Sequence, residues 1–407
     1  MIRPDVIVIG SGLAGASTAF ALATRGAHVR VVESELGLCE RASGNRFGLL
    51  TPYIATHASP TEELYSIGYE WTRNVLSSSA AIDSGFTPSG AIQFPSTKRF
   101  ATILGEELPL VGAPDIQRAT ASECSEFAGI PCHEGGFIIP SAGFVSPRRF
   151  MSSLLKHAHK HISLSYSTRT TALTRTNDGW LVSCSDGTTL ETPTVVVCGA
   201  FESNKLSHTA WLPLEPIRGQ TVCVSDNKIS SRLRTVLCFG GYLTPSVEGE
   251  HLLGAHYRHH DDNQDPSDGD TEQILNVATR ALPSLALSSD NVRSARVCFR
   301  TSTVDRLPYI GQVPNFEEMR EEARDYRSGT NVRNRVPIRN YPGLYVNVGH
   351  GSRGLLSCPL GGEIIARLIN NEHLSSLDPA AQICDPARVP YRLLTTELHS
   401  PNRAGDN

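Results

Sequence analysis

The chain has 407 residues, 37 basic against 41 acidic side chains, a formal charge of −4, and 40% hydrophobic against 19% charged residues. This length implies two or three domains, each able to bury a core, and the composition is too apolar and too weakly charged for a disordered chain. The net charge carries no bulk signature of a nucleic-acid partner, and ten cysteines scattered without a CxxC pair predict buried thiols in a reducing, cytoplasmic setting, with no disulfide framework and no metal.

In chain order, Val6-Ile7-Val8-Ile9 reads as a β-branched strand buried on both faces. It leads into Gly10-Ser11-Gly12-Leu13-Ala14-Gly15, an alanine-rich helix ending near Arg25-Gly26, and a second strand from Val29 to Val32 that stops at Glu33. Strand, GxGxxG, helix, strand and acid together predict a dinucleotide site. Gly10 permits the turn, Gly12 lets backbone approach a pyrophosphate, Gly15 lets helix pack on strand, and Glu33 suits a ribose diol. The apolar run from Val6 to Ala23 lacks the basic flank and cleavage site of a targeting signal, so no membrane association is expected.

Further on, Leu164 to Arg175, Trp180 to Ser185 and Thr188 to Glu191 read as strands joined by Asn177-Asp178-Gly179 and Asp186-Gly187 turns. An apolar strand from Thr194 to Cys198 follows, ending in Gly199-Ala200. Near the C-terminus, Leu344 to Val348 enters Gly349-His350-Gly351-Ser352-Arg353-Gly354 and then a helix beginning with Leu355 and running through Ile369. A helix N-terminus there would face an electron-rich group such as the N1–C2=O edge of a flavin. Three such elements predict an α/β fold: a glutathione-reductase-type, FAD-binding Rossmann domain formed by 1–55, 146–212 and 336–407. An α+β substrate domain, 56–145 and 213–335, is intertwined with it.

Two clusters outside these elements invite functional readings. His256, His259, His260, Asp261 and Asp262 have metal-like spacing but read better as a solvated loop. Arg148 to His161 is basic with almost no acid expected in reach, and Arg333, Arg335 and Arg339 end a charged insertion that begins at Glu317. Either could meet nucleic-acid phosphates, or be an ordinary solvated face.

The whole chain resembles the D-amino-acid-oxidase/glycine-oxidase superfamily of FAD enzymes, and within it the branch containing the oxidase half of the bifunctional tRNA-modifying MnmC proteins. The resemblance rests on Arg41-Ala42-Ser43-Gly44-Asn45-Arg46, Gly135-Gly136-Phe137, Ser141 to Pro147, Pro216 to Gln220, Val236 to Pro245, Gly254 to Arg258, Arg300 to Gly311 and Gly349 to Leu360. It implies FAD as cofactor and tRNA as partner. The reaction implied is oxidative removal of the carboxymethyl group from 5-carboxymethylaminomethyl-(2-thio)uridine at the wobble position. The products would be the 5-aminomethyl nucleoside, glyoxylate and hydrogen peroxide, with methylation left to a separate methyltransferase. A small-molecule amine oxidase acting on glycine, sarcosine or a D-amino acid is the alternative, and a flavin-bearing RNA-binding protein without turnover is a third reading.

The same resemblance implies site roles. Arg300 would bind the substrate carboxylate, Tyr242 would cover the substrate, and Arg353 would reach substrate or flavin. Ser43, Gly44, Asn45, Arg46 and Gly48 would cross the flavin or pyrophosphate, with Gly199, Ala200, Gly351, Ser352, Gly354 and Leu355 completing the cofactor site. Arg218 and Gln220 would support the ring. Cys298 stands where a related group of oxidases attaches flavin covalently, although a buried strand cysteine is the plainer reading.

Overall fold

The computed structural model describes residues 3–105, 110, 115–324, 326 and 331–399. A six-stranded sheet orders its strands Tyr309–Pro314, Asn340–Val348, Thr194–Val197, Val6–Ile9, Val29–Val32, Ile162–Ser165. Five run parallel, and only the Tyr309–Pro314 edge is antiparallel. Val6–Ile9 is buried throughout, and its side chains divide by parity. Val6 and Val8 join a core with the helices, while Ile7 and Ile9 join one with the three-stranded meander around the fully buried Trp180. A strand covered on both faces must be apolar at every position, which is why no alternation shows in the sequence.

The Leu13–Ala23 helix is built from small residues so that the Gly354–Ile369 helix can lie against it. A Cβ at Gly362 would stand 2.7 Å from the backbone of Ser17. This close approach brings the N-termini of the two helices side by side, with the Leu13 side chain next to Gly354.

An eight-stranded sheet forms the second layer, ordered Val292–Thr303, Leu214–Ser225, Glu250–His259, Tyr242–Leu243, Val236–Cys238, Ala91–Gln93, Gly136–Ile139, Gln117–Ala119. Ile92, Leu237, Leu243 and Leu253 pack on one face against the Asp268–Ala281 helix. The opposite face, carrying Gln93, Cys238 and Tyr242, turns toward the first sheet.

Two boundaries differ from the sequence expectation. Tyr309–Pro314 belongs to the six-stranded sheet, and the Pro60–Leu76 helix packs in the core beneath it, although both fall in segments assigned to the substrate domain. The strand expected from Leu164 to Arg175 is two strands, Ile162–Ser165 in the large parallel sheet and Thr170–Thr176 in the meander. Between them Ser167 takes a left-handed φ of 55°, and the amides of Ser167 and Thr168 donate to the carbonyls of Glu35 and Glu33. Those bonds draw the chain out of the first sheet. No described helix is long and apolar enough to cross a membrane.

Candidate active site

The strands Val6–Ile9, Thr194–Val197 and Asn340–Val348 are neighbours in the sheet, and their C-terminal ends carry the Gly10, Gly199 and Gly349 turns. In parallel α/β sheets the crevice beyond those ends is where ligands bind. Here it opens into a cavity of about 630 Å³, walled on one side by these turns and on the other by the eight-stranded sheet. That volume lies within the roughly 300–1,000 Å³ typical of ligand sites.

Two helix N-termini meet the cavity, and neither has a side-chain cap of its own: Gly12 precedes the first helix and Arg353 the second. The leading amides of a helix have no internal partners, so each terminus presents donors and a partial positive charge. One donor is already used, since Leu13 N donates to Ser43 Oγ at 3.0 Å. Glu33 faces the same cavity while accepting from the amides of Ser11 (2.6 Å) and Glu35 (2.9 Å).

The opposite wall is cationic and aromatic. Arg300 lays its guanidinium over the Tyr257 ring, 4.1 Å from the centroid. Gly219 makes this possible, because a Cβ there would touch the ring at 3.0 Å. Arg353 rests against both Tyr53 and Tyr65, at 4.8 and 5.3 Å from their centroids, and burial lowers its pKa from the ordinary arginine value. Among the described residues no carboxylate lies within ion-pair distance of Arg300 or Arg353. The two are fastened together, since Gly351 N, in the loop carrying Arg353, donates to Thr301 O beside Arg300 at 2.8 Å. Burial pushes the Tyr242 hydroxyl well above the usual phenol range and the Cys238 thiol up to about 12, so both are protonated at neutral pH.

His350 is the third polar group on the glycine loop. Its Nδ1 lies 2.9 Å from Ser357 Oγ, whose hydroxyl donates to Arg353 O, while its buried Nε2 has no partner among the described residues. Burial brings its pKa down to about 4. An unfolded histidine titrates near 6.5, so between the two values the unfolded chain binds more protons and stability is lost as pH falls from about 6.5 toward 4. Replacing His350 with glutamine is expected to flatten the fall of the urea midpoint across that window, and an unchanged profile would contradict the assignment.

Most residues expected at the site line the cavity. These are Gly10, Gly12, Leu13, Ala14 and Glu33 from the first motif; Ser43, Asn45 and Gly48 from the crossing loop; Gly199 and Ala200; Gly351 to Leu355; and Tyr242 and Arg300. Ser11, Gly15 and Gly44 act from behind it. Ser11 spends its amide on Glu33, Gly15 meets the Gly10 carbonyl, and a Cβ at Gly44 would stand 2.6 Å from an Arg296 nitrogen.

Four expectations are corrected. Arg46 turns away and pairs with Glu248 (3.0 Å) and Glu250, because the tight turn bridged by Val247 and Glu250 brings two carboxylates against it. Arg218 is buried away from the cavity, held by Asp270 and the carbonyls of Asn263 and Asp265 at 2.7 Å each. Gln220 likewise bonds Ser267 and Thr271, so both anchor the Asp268–Ala281 helix. Cys298, by contrast, keeps the plainer reading of a buried strand cysteine, facing Asn45 Oδ1 at 3.9 Å and not lining the cavity. Acids from elsewhere do reach the basic run from Arg148, where Arg148 pairs with Glu40 (3.0 Å) and Lys156 with Asp83 (3.8 Å).

Of the second basic set, Arg339 pairs with Glu318 and Glu322, and Arg333 lies over Tyr391. Positions 325 and 327–330 of that insertion lie outside the described residues. His256 and His259 lie in the Glu250–His259 strand and His260 to Asp262 beyond its end; no metal-like grouping of three occurs among the described residues.

Sequence reasoning missed Arg296 and Tyr257. Arg296 donates to Asn45 Oδ1 and to the carbonyls of Glu40 (both 2.8 Å) and Arg41, clamping the crossing loop onto the second sheet. Arg296→Ala is expected to weaken cofactor retention by about 5- to 30-fold, the worth of one or two net hydrogen bonds. Equilibrium dialysis of the flavin would show this, and an unchanged dissociation constant would make the clamp dispensable.

A mostly parallel sheet with glycine turns at its strand ends, two helix N-termini on one large cavity and a second sheet closing over it defines an FAD-dependent oxidoreductase. The sequence profile of the FAD dependent oxidoreductase (DAO) family matches residues 5–368, and the chain belongs to that family. It is similar to the tRNA 5-methylaminomethyl-2-thiouridine biosynthesis bifunctional protein MnmC of Chromobacterium violaceum, 33% identical over 97% of this chain, and to that of Stutzerimonas stutzeri, 31% identical over 95%. The chain spans about 60% of the length of these curated relatives. Among solved structures, glycine oxidase from Geobacillus kaustophilus superposes with a TM-score of 0.72 at 22% identity, covering 93% of this chain and 98% of that one. Iminodiacetate oxidase from Chelativorans gives 0.70 at 20% identity, covering 90% and 96%. At these identities the likeness is one of fold.

Proposed function

We propose that this chain oxidises the carboxymethylaminomethyl side chain of the wobble uridine in cytoplasmic tRNA, releasing glyoxylate and leaving the 5-aminomethyl-(2-thio)uridine. The observation that carries this reading is Arg300, a cation on the cavity wall with no carboxylate within ion-pair distance among the described residues, held by a tyrosine face. An N-substituted glycine supplies the missing carboxylate, and a guanidinium fork suits its bidentate capture. The similarity to the MnmC proteins supports a tRNA substrate.

The donors around the Gly10 and Gly351 turns, the Ser43 to Gly48 loop, Glu33 and the Gly199-Ala200 turn fit FAD, whose pyrophosphate and flavin N1–C2=O edge match two helix N-termini. Bound FAD would supply the redox chemistry: the carbon between amine and carboxylate loses a hydride equivalent and the amine loses a proton, forming the C=N bond of an imine, and both would end on dioxygen as hydrogen peroxide. The chain's own residues orient and enclose. Arg300 fixes the carboxylate so that only one carbon is presented, and orientation of this kind accounts for much of an enzyme's rate. Tyr242 and Tyr257 shield that face from water, Arg353 adds positive potential from the loop side, and water then hydrolyses the imine. A separate methyltransferase would act on the amine produced.

Incubating the purified protein with tRNA bearing the carboxymethylaminomethyl group, followed by nucleoside mass spectrometry, tests the reading. Conversion to the aminomethyl nucleoside with stoichiometric glyoxylate is expected. No conversion, together with peroxide from glycine or sarcosine, would assign the chain to small amines instead.

A further inference from the structure

On the cavity-facing side of the eight-stranded sheet, Gln93, Cys238 and Tyr242 are paired across adjacent strands, Gln93 with Cys238 and Cys238 with Tyr242. Directly paired residues share a face, and all three line the cavity, as do Tyr257 and Arg300 beyond them. Gln93 is the one amide side chain in this row. Its nitrogen lies 2.9 Å from the Phe94 carbonyl and 3.4 Å from the Cys238 carbonyl. Two carbonyl acceptors at one end of an amide fix that end as NH₂, which settles an assignment that the shape of the side chain leaves open. The other end is therefore oxygen, and among the described residues it accepts no hydrogen bond. The wall presents an immobilised acceptor at one end and the Arg300 guanidinium at the other.

We infer that Gln93 Oε1 accepts a hydrogen bond from the imide N–H of the pyrimidine ring whose side-chain carboxylate is held by Arg300. This deepens the function proposed above and rests on it. The spacing favours this occupant. The guanidinium lies over Tyr257 in the Glu250–His259 strand, three strand spacings from Gln93, which is roughly 14 Å across the sheet. Allowing roughly 3 Å for a hydrogen bond at each end leaves on the order of 8 Å for the ligand. A carboxymethylaminomethyl pyrimidine has on the order of 7 Å between carboxylate carbon and imide nitrogen, whereas glycine spans on the order of 2.5 Å from carboxylate carbon to amine. Only the longer molecule engages both groups at once. The middle of the row, Cys238 and Tyr242, carries protonated, uncharged groups that suit the flat face of a base.

Anaerobic flavin reduction by the 5-carboxymethylaminomethyl nucleoside, followed by stopped-flow absorbance, tests this with two independent removals of the bond. Gln93→Leu removes the acceptor, and an N3-methylated nucleoside removes the donor from the substrate while leaving the protein untouched. Each is expected to raise the apparent dissociation constant about tenfold, the worth of one neutral hydrogen bond, and together no more than either alone. Reduction by iminodiacetate, a carboxymethylamine without a pyrimidine, is expected to be unchanged in Gln93→Leu. If the N3-methylated nucleoside binds as well as the parent, the inference falls while the proposed function stands. If Gln93→Leu slows iminodiacetate equally or shifts the resting flavin spectrum, Gln93 touches the amine or the flavin and the inference also falls. If the wild-type protein is reduced by neither nucleoside nor modified tRNA, the function itself fails and takes the inference with it.

Discussion

Arg300→Ala is expected to purify with its flavin and to lose turnover, with kcat/KM for the carboxylate-bearing substrate falling by on the order of 10²- to 10⁴-fold. The size follows from the bond removed. A charge-assisted hydrogen bond contributes about 1.5–3 kcal/mol, a bidentate pair offers two, and each 1.36 kcal/mol of transition-state stabilisation is about tenfold in rate. The flavin should stay because Arg300 belongs to the second sheet and rests its guanidinium on the Tyr257 ring. Arg300→Lys is expected to recover part of the loss, since it restores a charge without the planar fork. A substrate analogue with an amide in place of the carboxylate separates anchoring from general damage: it should react equally slowly with parent and variant. If Arg300→Ala turns over within a few-fold of the parent, the anchor lies elsewhere. Arg353, the other cation on this cavity without an ion-pair partner among the described residues, is then the next to test.

The two halves of this site were unequally legible in the sequence. The cofactor side could be read because its requirements are local: a β-branched strand, glycines at fixed offsets and a helix start are all set within a dozen residues, and the same pattern recurs before Gly354. The substrate side could not. Nothing around Gln93 marks it, because its role arises where Ala91–Gln93 is paired with Val236–Cys238, more than a hundred residues away. Arg46 and Arg218 were misplaced for the same reason. Each sits in a stretch that matches a flavin enzyme, yet its partner is a carboxylate brought in by another segment, Glu250 for one and Asp270 for the other. A guanidinium next to a motif goes to whichever carboxylate the fold brings closest, and only the tertiary fold says where that is. Arg300 was identified through family resemblance, and what the structure adds is the tyrosine face that holds it and the lack of a competing carboxylate among the described residues.

Gly15→Ala is expected to be the most damaging single methyl group in the chain. A Cβ at this position would stand on the carbonyl oxygen of Gly10 and 3.4 Å from Cys198 Cβ. The side chain of Gly15 would therefore push against backbone, which cannot swing aside as a rotamer can. Gly10 itself has no freedom to yield: its φ is +100°, its amide donates to Val32 O at 2.8 Å, and a Cβ on it would meet Cys198 O at 2.7 Å. The helix would have to lift off the strand, but its far side is held by the Gly354–Ile369 helix, with Gly362 already against the Ser17 backbone. Overpacking a rigid core costs about 1–3 kcal/mol where side chains can adjust, and more is expected where backbone must move. The damage also falls on function, because lifting the helix displaces its N-terminus at Leu13 and Ala14 from the cavity wall. The variant should purify largely free of flavin, with its urea midpoint lowered by a large fraction of a total stability of about 5–15 kcal/mol. Gly26→Ala is the matched control. Gly26 also has a left-handed φ, +87°, but nothing lies within 4 Å of its would-be Cβ, so only backbone strain of about 1 kcal/mol is expected and the flavin should remain. Equal flavin content and equal midpoints in the two variants would mean that the contact between Gly15 and Gly10 is softer than the geometry requires, and that the third glycine of the motif is not what holds helix to strand.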